Sequence, residues 1–233
     1  MNAERGSIGG IRACVFDAYG TLFDVGSAVQ RHAALLGEQA PALAALWRDR
    51  QLQYSWLRTI QGRHVDFAQI TGDALDHALE ALGLDAALAG VLLPAFDALD
   101  AYPEVPGVLR RLRAAGYVTA ILSNGAPPML AALLANARID ALFDAVVSVE
   151  TVGVFKPHPR VYQSVVNALA LRAEQICFLS SNAWDAHAAS AFGLRVVWCN
   201  RRGQAPERLP GAPDGRIRTL DELPELLGAH PWA

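Results

Sequence analysis

Residues 11–24 read IRACVFDAYGTLFD, an apolar run that ends at Asp17 and is followed by a polar turn. The run at residues 11–16 is nearly continuous rather than alternating, which is typical of a strand buried on both faces of a parallel sheet. Gly20 allows the chain to turn sharply just after the carboxylate. We therefore predict the first strand of a parallel α/β sheet, with Asp17 at its carboxyl end.

The rest of the chain alternates between strand-like and helical segments. Further buried strands are predicted from apolar runs at residues 118–122, 145–149 (the weakest), 176–179 and 195–199. Helices are predicted at residues 105–115, 128–136, 159–170 and 184–192. Gly and Pro predict a loop over residues 203–215, before a last short helix at 220–227. Strand alternating with helix indicates a Rossmann-like three-layer α/β fold with a parallel sheet.

One long segment, residues 24–102, interrupts this alternation. It has no convincing strand, but it has long helical patterns rich in Ala and Leu at residues 42–59 and 67–82. Because it follows directly on the strand end that carries Asp17, it could close over a site at that edge of the sheet. We expect a core domain formed by residues 1–23 and 103–233, with an all-helical cap domain at 24–102.

Composition limits the partners and the compartment. Hydrophobic residues make up 52% of the chain and the formal net charge is −3, without blocks of like charge, so we expect neither nucleic acid nor a membrane as a partner. No run approaches the roughly 20 apolar residues of a membrane span, and residues 1–10 lack the pattern of a signal peptide. The three cysteines are widely spaced in apolar runs, which predicts buried reduced thiols. Together these features predict a cytoplasmic protein.

Polar side chains follow four of the predicted strands. Asp17 follows the first, Ser123 and Asn124 the second, Lys156 the 145–149 run, and the segment SSNAWD the 176–179 run. A single Asp or Ser after a strand is usually a helix cap. Four such groups at the carboxyl ends of parallel strands share one crevice, which predicts a functional site there.

The chemistry of that crevice centres on a carboxylate and a lysine. A buried Asp17 needs a counter-charge, and Lys156 would keep it ionised and available as a nucleophile. Thr21 and Ser123 can donate hydrogen bonds that orient the carboxylate. None of the six histidines has a partner at the i, i+4 spacing of a metal-binding pair, and no G-x-S-x-G motif is present. The histidines therefore predict neither a catalytic triad nor a metal site, and we expect no cofactor.

These segments resemble the haloacid dehalogenase superfamily, whose first motif is an aspartate nucleophile in a D-x-x-x-T turn. Within it, DAYGTLFD, LSNG, VFKPHPRVY, SSNAWD and the segment LWRDRQLQYSWLR at residues 46–58 are similar to the L-2-haloacid dehalogenases. The resemblance covers essentially the whole chain. It implies that Asp17 displaces halide from C2 of a small 2-halocarboxylate with inversion and forms an ester with it. Water would then hydrolyse this ester to a 2-hydroxy acid.

The resemblance also implies roles for the other site residues. Catalytic support would come from side chains that orient Asp17, the lysine or the hydrolytic water: Thr21, Lys156, Tyr162, Ser180, Asn182 and Asp185. The substrate carboxylate would be bound by Ser123 and the backbone N–H groups of Ala18 and Tyr19. Halide would be received by Arg48 and Asn124, with the aromatic edge of Trp184. The apolar wall around the substrate would comprise Tyr19, Leu52, Phe67 and Trp184.

Two positions distinguish the chain from phosphatases of the superfamily. Tyr19 stands where they carry the acid that protonates an alkoxide, and a departing halide needs no proton. Ser181 stands where their G-D-S-x-x-D motif has a magnesium-binding aspartate. A small-molecule phosphatase or phosphonate hydrolase is nevertheless the first alternative. A non-catalytic carboxylate-binding or regulatory protein is the second.

Two features of the chain allow alternative interpretations. Asp49 stands beside Arg48 where relatives would have a neutral glutamine, and it either opposes the anions in the site or points away, since neighbours on a helix point about 100° apart. The resemblance also makes a homodimer possible, with the Trp- and Leu-rich cap helix either at the interface or internal.

Overall fold

The computed structural model describes residues 8–228, so the first seven residues of the polar N-terminal lead lie outside the described part. The strands are β1 (Ala13–Phe16), β2 (Phe23–Asp24), β3 (Asp100–Ala101), β4 (Val118–Ser123), β5 (Ala145–Ser148), β6 (Ile176–Ser180), β7 (Arg195–Cys199) and β8 (Gly215–Ile217). The α-helices are α1 (Ser27–Gln30), α2 (Ala33–Leu36), α3 (Ala40–Gln61), α4 (Phe67–Ala81), α5 (Ala89–Phe96), α6 (Val105–Ala114), α7 (Pro127–Ala137), α8 (Pro159–Leu169), α9 (Ala183–Phe192) and α10 (Leu223–Leu226). Short 3₁₀ turns lie between several of them.

Six strands form one parallel sheet in the order β5-β4-β1-β6-β7-β8. The predicted α/β fold with a parallel sheet is confirmed, and β1 is central and fully buried. Phe16 pairs in register with Ile121 of β4 and with Leu179 of β6. The carboxyl ends of these three neighbouring strands therefore meet at one edge of the sheet, one residue before Asp17.

Two strand predictions were wrong. The tail was expected to be a loop, but Gly215–Ile217 forms the edge strand β8. Its three residues include only one buried apolar side chain, so no apolar run marks it. Segment 24–102 was expected to lack strands, yet Asp100–Ala101 pairs antiparallel with Phe23–Asp24. These two-residue strands are too short to leave a sequence pattern, and they join the two ends of the inserted segment.

The inserted segment is dominated by the helices α3 and α4, which pack against each other. Pro41 lies in the first turn of α3, where its missing N–H costs nothing, and the helix ends at Gly62, whose φ of +64° favours glycine. Trp47 of α3 donates from Nε1 to the carbonyl of Thr71 in α4 at 2.9 Å. This bond and the buried apolar faces of both helices fix α3 in the orientation that presents Arg48.

The three cysteines, Cys14, Cys177 and Cys199, are buried free thiols. Among residues 8–228, no helix has the length and apolar character of a membrane span. The same residues hold no cluster of three or more His, Cys, Asp or Glu side chains that could bind a metal ion.

Candidate active site

The polar groups predicted from the strand ends converge at the carboxyl edge of β1, β4 and β6. Asp17 follows β1, Ser123 ends β4, Ser180 ends β6 and Asp185 lies in the first turn of α9. Lys156 reaches the same point from the loop after β5, and its side chain is 1% exposed. The structure thus brings the predicted charged groups into one buried cluster.

Asp17 accepts hydrogen bonds unevenly on its two oxygens. Oδ2 accepts from Asn182 Nδ2 at 2.8 Å, from Thr21 Oγ1 at 3.2 Å and from Ser180 Oγ at 3.4 Å. Oδ1 accepts from Lys156 Nζ at 3.0 Å. The carboxylate is therefore held in one orientation, with its free lone-pair capacity on Oδ1.

Lys156 lies between two carboxylates. Its Nζ is 3.0 Å from Asp17 Oδ1 and 2.9 Å from Asp185 Oδ2. Burial lowers the pKa of Lys156, but the charges and hydrogen bonds of the two carboxylates outweigh burial, so the net pKa lies above the usual lysine value. The ammonium consequently stays charged at neutral pH. Its backbone N–H donates to Asn124 Oδ1 at 3.0 Å, which ties the Lys156 loop to the end of β4.

Asp185 is fully buried and has a different environment from Asp17. It accepts from Lys156 on one oxygen and from Tyr162 OH at 2.7 Å on the other. Burial raises the pKa of Asp185, and although Lys156 and Tyr162 act against it, the net pKa stays above the usual aspartate value. Tyr162, one of the residues predicted to give catalytic support, bonds to Asp185 rather than to Lys156 and orients that carboxylate.

The turn after β1 is arranged around the backbone of Ala18. Its carbonyl accepts the N–H groups of Leu22 and Phe23, at 2.9 and 3.0 Å. No hydrogen bond within residues 8–228 uses the N–H of Ala18 or Tyr19. These two donors remain free to bind an anion, as predicted for the substrate carboxylate.

Ser123 and Gly125 of the LSNG segment are tightly packed. Ser123 is buried, and its Oγ accepts from the Gly125 N–H at 3.1 Å. A Cβ added to Gly125 would lie 2.9 Å from both Tyr19 OH and Leu130 Cδ2. Gly125 is therefore required for the close approach of Tyr19, a role that only the neighbouring ring reveals.

Tyr19 belongs to an aromatic cluster. Its ring lies 5.6 Å from that of Phe67 and 5.4 Å from that of Phe96, and Phe67 in turn contacts Phe155 at 6.0 Å. Within the described residues its hydroxyl has no hydrogen-bond partner, and burial raises the pKa of Tyr19 above the usual tyrosine value. Tyr19 is thus a neutral apolar wall at neutral pH.

Arg48 extends from α3 toward the cluster. Its Nη2 donates to Asn182 Oδ1 at 3.4 Å and its Nη1 to Gln51 Oε1 at 2.7 Å. A cleft of about 270 Å³ is lined by Arg48 together with Leu52 and Trp184, so these three predicted residues share one space. Trp184 also contacts the Trp56 ring edge-on, at 5.4 Å.

The same cleft shows whether Asp49 faces the anions in the site or points away from them. Asp49 lines it but is exposed, and no ion pair joins it to Arg48 within the described residues. It therefore lies at the outer rim rather than among the buried charges.

Two basic residues that line the cleft, Arg201 and Arg202, were not predicted from the sequence. Arg201 follows β7, lines the cleft and donates from Nη2 to the Thr21 carbonyl at 2.8 Å. Its guanidinium stacks 3.7 Å from the Tyr102 ring centroid and pairs with Glu104 at 2.7 Å. Its place after a strand end is the same signal that identified the other site residues, and it could have been applied to β7.

Comparison with known proteins identifies the family. The profile described as "haloacid dehalogenase-like hydrolase" matches residues 11–193. The chain belongs to the haloacid dehalogenase-like hydrolases. It is 48% identical to (S)-2-haloacid dehalogenase 1 of Pseudomonas sp. (strain CBS-3), an alignment that covers 93% of this chain and 96% of the relative. It is 43% identical to (S)-2-haloacid dehalogenase 4A of Burkholderia cepacia, over 94% and 96% of the two chains.

A solved structure of a family member carries a covalent adduct. The L-2-haloacid dehalogenase of Xanthobacter autotrophicus with chloropropionic acid covalently bound is 37% identical to this chain, with a TM-score of 0.88. The similarity covers 96% of this chain and 100% of that one. The fold of this chain therefore matches that of a family member with chloropropionic acid covalently bound.

Proposed function

We propose that this hydrolase converts short-chain (S)-2-haloacids, such as 2-chloropropionate and haloacetates, into 2-hydroxy acids with inversion, through an ester on Asp17. The observation that carries this proposal is an oriented, lysine-paired Asp17 with the neutral Tyr19, instead of an acid, beside it. A nucleophile without a neighbouring carboxylic acid to protonate the leaving group suits a leaving group that departs as a stable anion. The curated relatives named above support the same substrate class.

The first step is displacement at C2 of the substrate. Oδ1 of Asp17 supplies the electron pair, because Oδ2 already accepts three hydrogen bonds. The C–halogen bond breaks on the opposite side, and halide leaves toward Arg48 and Asn124 with the ring edge of Trp184. Ser123 and the free N–H groups of Ala18 and Tyr19 bind the substrate carboxylate. Leu52, Phe67 and Tyr19 enclose its alkyl group.

The second step is hydrolysis of the ester. Water adds to the Asp17 carboxyl carbon while Asp185, held by Lys156 and Tyr162, accepts one of its protons. The tetrahedral intermediate then expels the 2-hydroxy acid, which keeps the other water proton, and the Asp17 carboxylate is restored. Asn182, Ser180 and Thr21 hold Oδ2 throughout, and the proton on Asp185 passes to solvent.

We propose that this chemistry needs no metal ion. The Lys156 ammonium occupies the space between Asp17 and Asp185 that a cation would take, and it already supplies the positive charge there. Ser181 offers a hydroxyl in place of a metal-binding carboxylate.

We propose that residues 1–23 and 103–233 form the core domain and residues 24–102 the cap. This division is supported by the helices that dominate the segment and by its two ends meeting at β2 and β3.

A cytoplasmic location is supported by the three buried free thiols. A homodimer would cover Leu57 and Ile60, which are 50% and 81% exposed on α3. A monomeric mass in sedimentation equilibrium would contradict the dimer.

The proposal is tested by chloride release from L-2-chloropropionate in the presence of a chelator. We expect the wild-type enzyme to release chloride and Asp17→Asn to release none. No release from any haloacid, together with magnesium-dependent phosphate release from an aryl phosphate, would replace the proposal with the phosphatase alternative. No activity in either assay, together with tight carboxylate binding, would indicate a non-catalytic binding protein.

A further inference from the structure

Gln51 is a buried polar residue of α3, 1% exposed, that no part of the mechanism above uses. Its Oε1 accepts from Arg48 Nη1 at 2.7 Å, and its Nε2 donates to Thr71 Oγ1 at 2.8 Å. The Thr71 hydroxyl donates in turn to the Phe67 carbonyl at 2.7 Å. Because Arg48 can only donate and the Thr71 proton is already used, the amide of Gln51 has one satisfied orientation.

The charge of Arg48 is fixed in place without being neutralised. Its guanidinium donates to two amide oxygens, those of Gln51 and Asn182, and to no carboxylate in the described part of the chain. Burial lowers the pKa of Arg48, although the charges of Asp17 and Asp185 act against it. A glutamate at position 51 would fill the same volume but would pair with Arg48 and cancel its charge.

We propose that Gln51 is a positioning residue that holds Arg48 toward the cleft while leaving the arginine's positive charge available to the departing halide. This inference rests on the proposed function, because it assigns halide reception to Arg48. A neutral amide can accept a short hydrogen bond from Arg48 and leave the arginine's charge uncompensated. A carboxylate would accept the bond but cancel the charge.

The competing explanation is that Gln51 only fills the space between α3 and α4. The same helix offers a matched control, because Arg50 Nη1 donates to Gln53 Oε1 at 2.8 Å with the same i, i+3 spacing on the exposed face. Gln53→Glu introduces the same chemical change on the same helix, away from the cleft.

The experiment compares Gln51→Glu, Gln51→Met and Gln53→Glu with the wild-type enzyme. Chloride release from L-2-chloropropionate gives kcat and KM, sodium bromide inhibition reports on the halide site, and circular dichroism checks folding. For Gln51→Glu we expect kcat to fall and the bromide inhibition constant to rise, each about tenfold or more. Gln51→Met keeps the charge of Arg48 but not its hydrogen bond. We expect its kcat to fall about tenfold, with a smaller rise in the bromide constant. Gln53→Glu should match the wild type.

A folded Gln51→Glu enzyme whose kcat or bromide constant stays within about threefold of wild type would overturn the inference. If the Gln51→Glu variant does not fold, the Gln51→Met variant provides the test. A kcat of Gln51→Met within about threefold of wild type overturns the inference, and a tenfold fall in its kcat with an unchanged KM supports it. A wild-type enzyme that releases no halide would instead refute the proposed function.

Discussion

Asp17 and Asp185 flank one ammonium group, yet their surroundings suit them to different tasks. Asp17 accepts four hydrogen bonds and lies at the edge of the turn after β1. Asp185 is fully buried against Tyr162 and Lys156, and its pKa is raised. Two carboxylates with different environments are the usual basis for dividing nucleophile and base roles in one site.

Asp185→Asn separates the two chemical steps. The amide can occupy the same space but cannot accept a proton from water, so we expect alkylation of Asp17 to continue while ester hydrolysis slows about 10²–10⁴-fold. Rapid-quench measurement should show one equivalent of chloride released in a burst. A linear time course without a burst would contradict the assignment of Asp185 to the second step.

The raised pKa of Asp185 predicts the acid side of the pH profile. Asp185 must be ionised to accept a proton, so kcat should fall as pH decreases through its pKa, at a pH above the usual aspartate value of about 3.9. Lys156, whose pKa is raised, stays charged across the same range. The profile of kcat against pH checks this, and a limb at or below the ordinary aspartate pKa would contradict it.

At the scale of elements, the site depends on where strands end. Residues 11–24 could be assigned from sequence because an apolar run ends abruptly at a carboxylate, and the same pattern located Ser123, Lys156 and Ser180. Gly125 and Gln51 could not be recognised in this way. Their importance comes from the Tyr19 ring and the Arg48 guanidinium, which reach them only after folding.

Gly125→Ala should disturb the turn between β4 and α7. The added Cβ would lie 2.9 Å from Tyr19 OH and Leu130 Cδ2, so overpacking should cost about 1–3 kcal/mol of the free energy of unfolding. Gly107→Ala is the control, because it lies in α6 with nothing within 4 Å of its Cβ and should be neutral or stabilising. Urea denaturation compares the two, and equal stability would contradict the close-packing argument.

For the whole molecule, Lys156 connects the β1 end, the loop after β5 and helix α9 through two buried ion pairs. The site residues at the strand ends could be predicted more completely than those in residues 24–102. Core residues follow a strand-end rule, whereas the placement of Arg48 depends on how α3 packs on α4, which helical periodicity does not specify.

Lys156→Met leaves two buried carboxylates without their counter-charge. We expect it to lower the free energy of unfolding by about 3–5 kcal/mol at pH 7. The pKa of Asp185 is already raised by burial, and loss of the ammonium removes the charge that opposes this rise, so part of the loss should be recovered as pH falls and Asp185 becomes protonated. Urea denaturation at pH 7 and pH 5 checks this, and an equal loss at both pH values would contradict it.

The ester on Asp17 is the central claim, and oxygen-18 labelling tests it most directly. Many turnovers with L-2-chloropropionate in H₂¹⁸O, followed by mass spectrometry of the peptide that contains Asp17, should show ¹⁸O in the Asp17 carboxylate and none in Asp185. A single turnover with excess enzyme should give a 2-hydroxy acid whose new oxygen is ¹⁶O, taken from Asp17. An unlabelled Asp17 with ¹⁸O directly in the product would mean that water attacks C2 itself, and it would contradict the account.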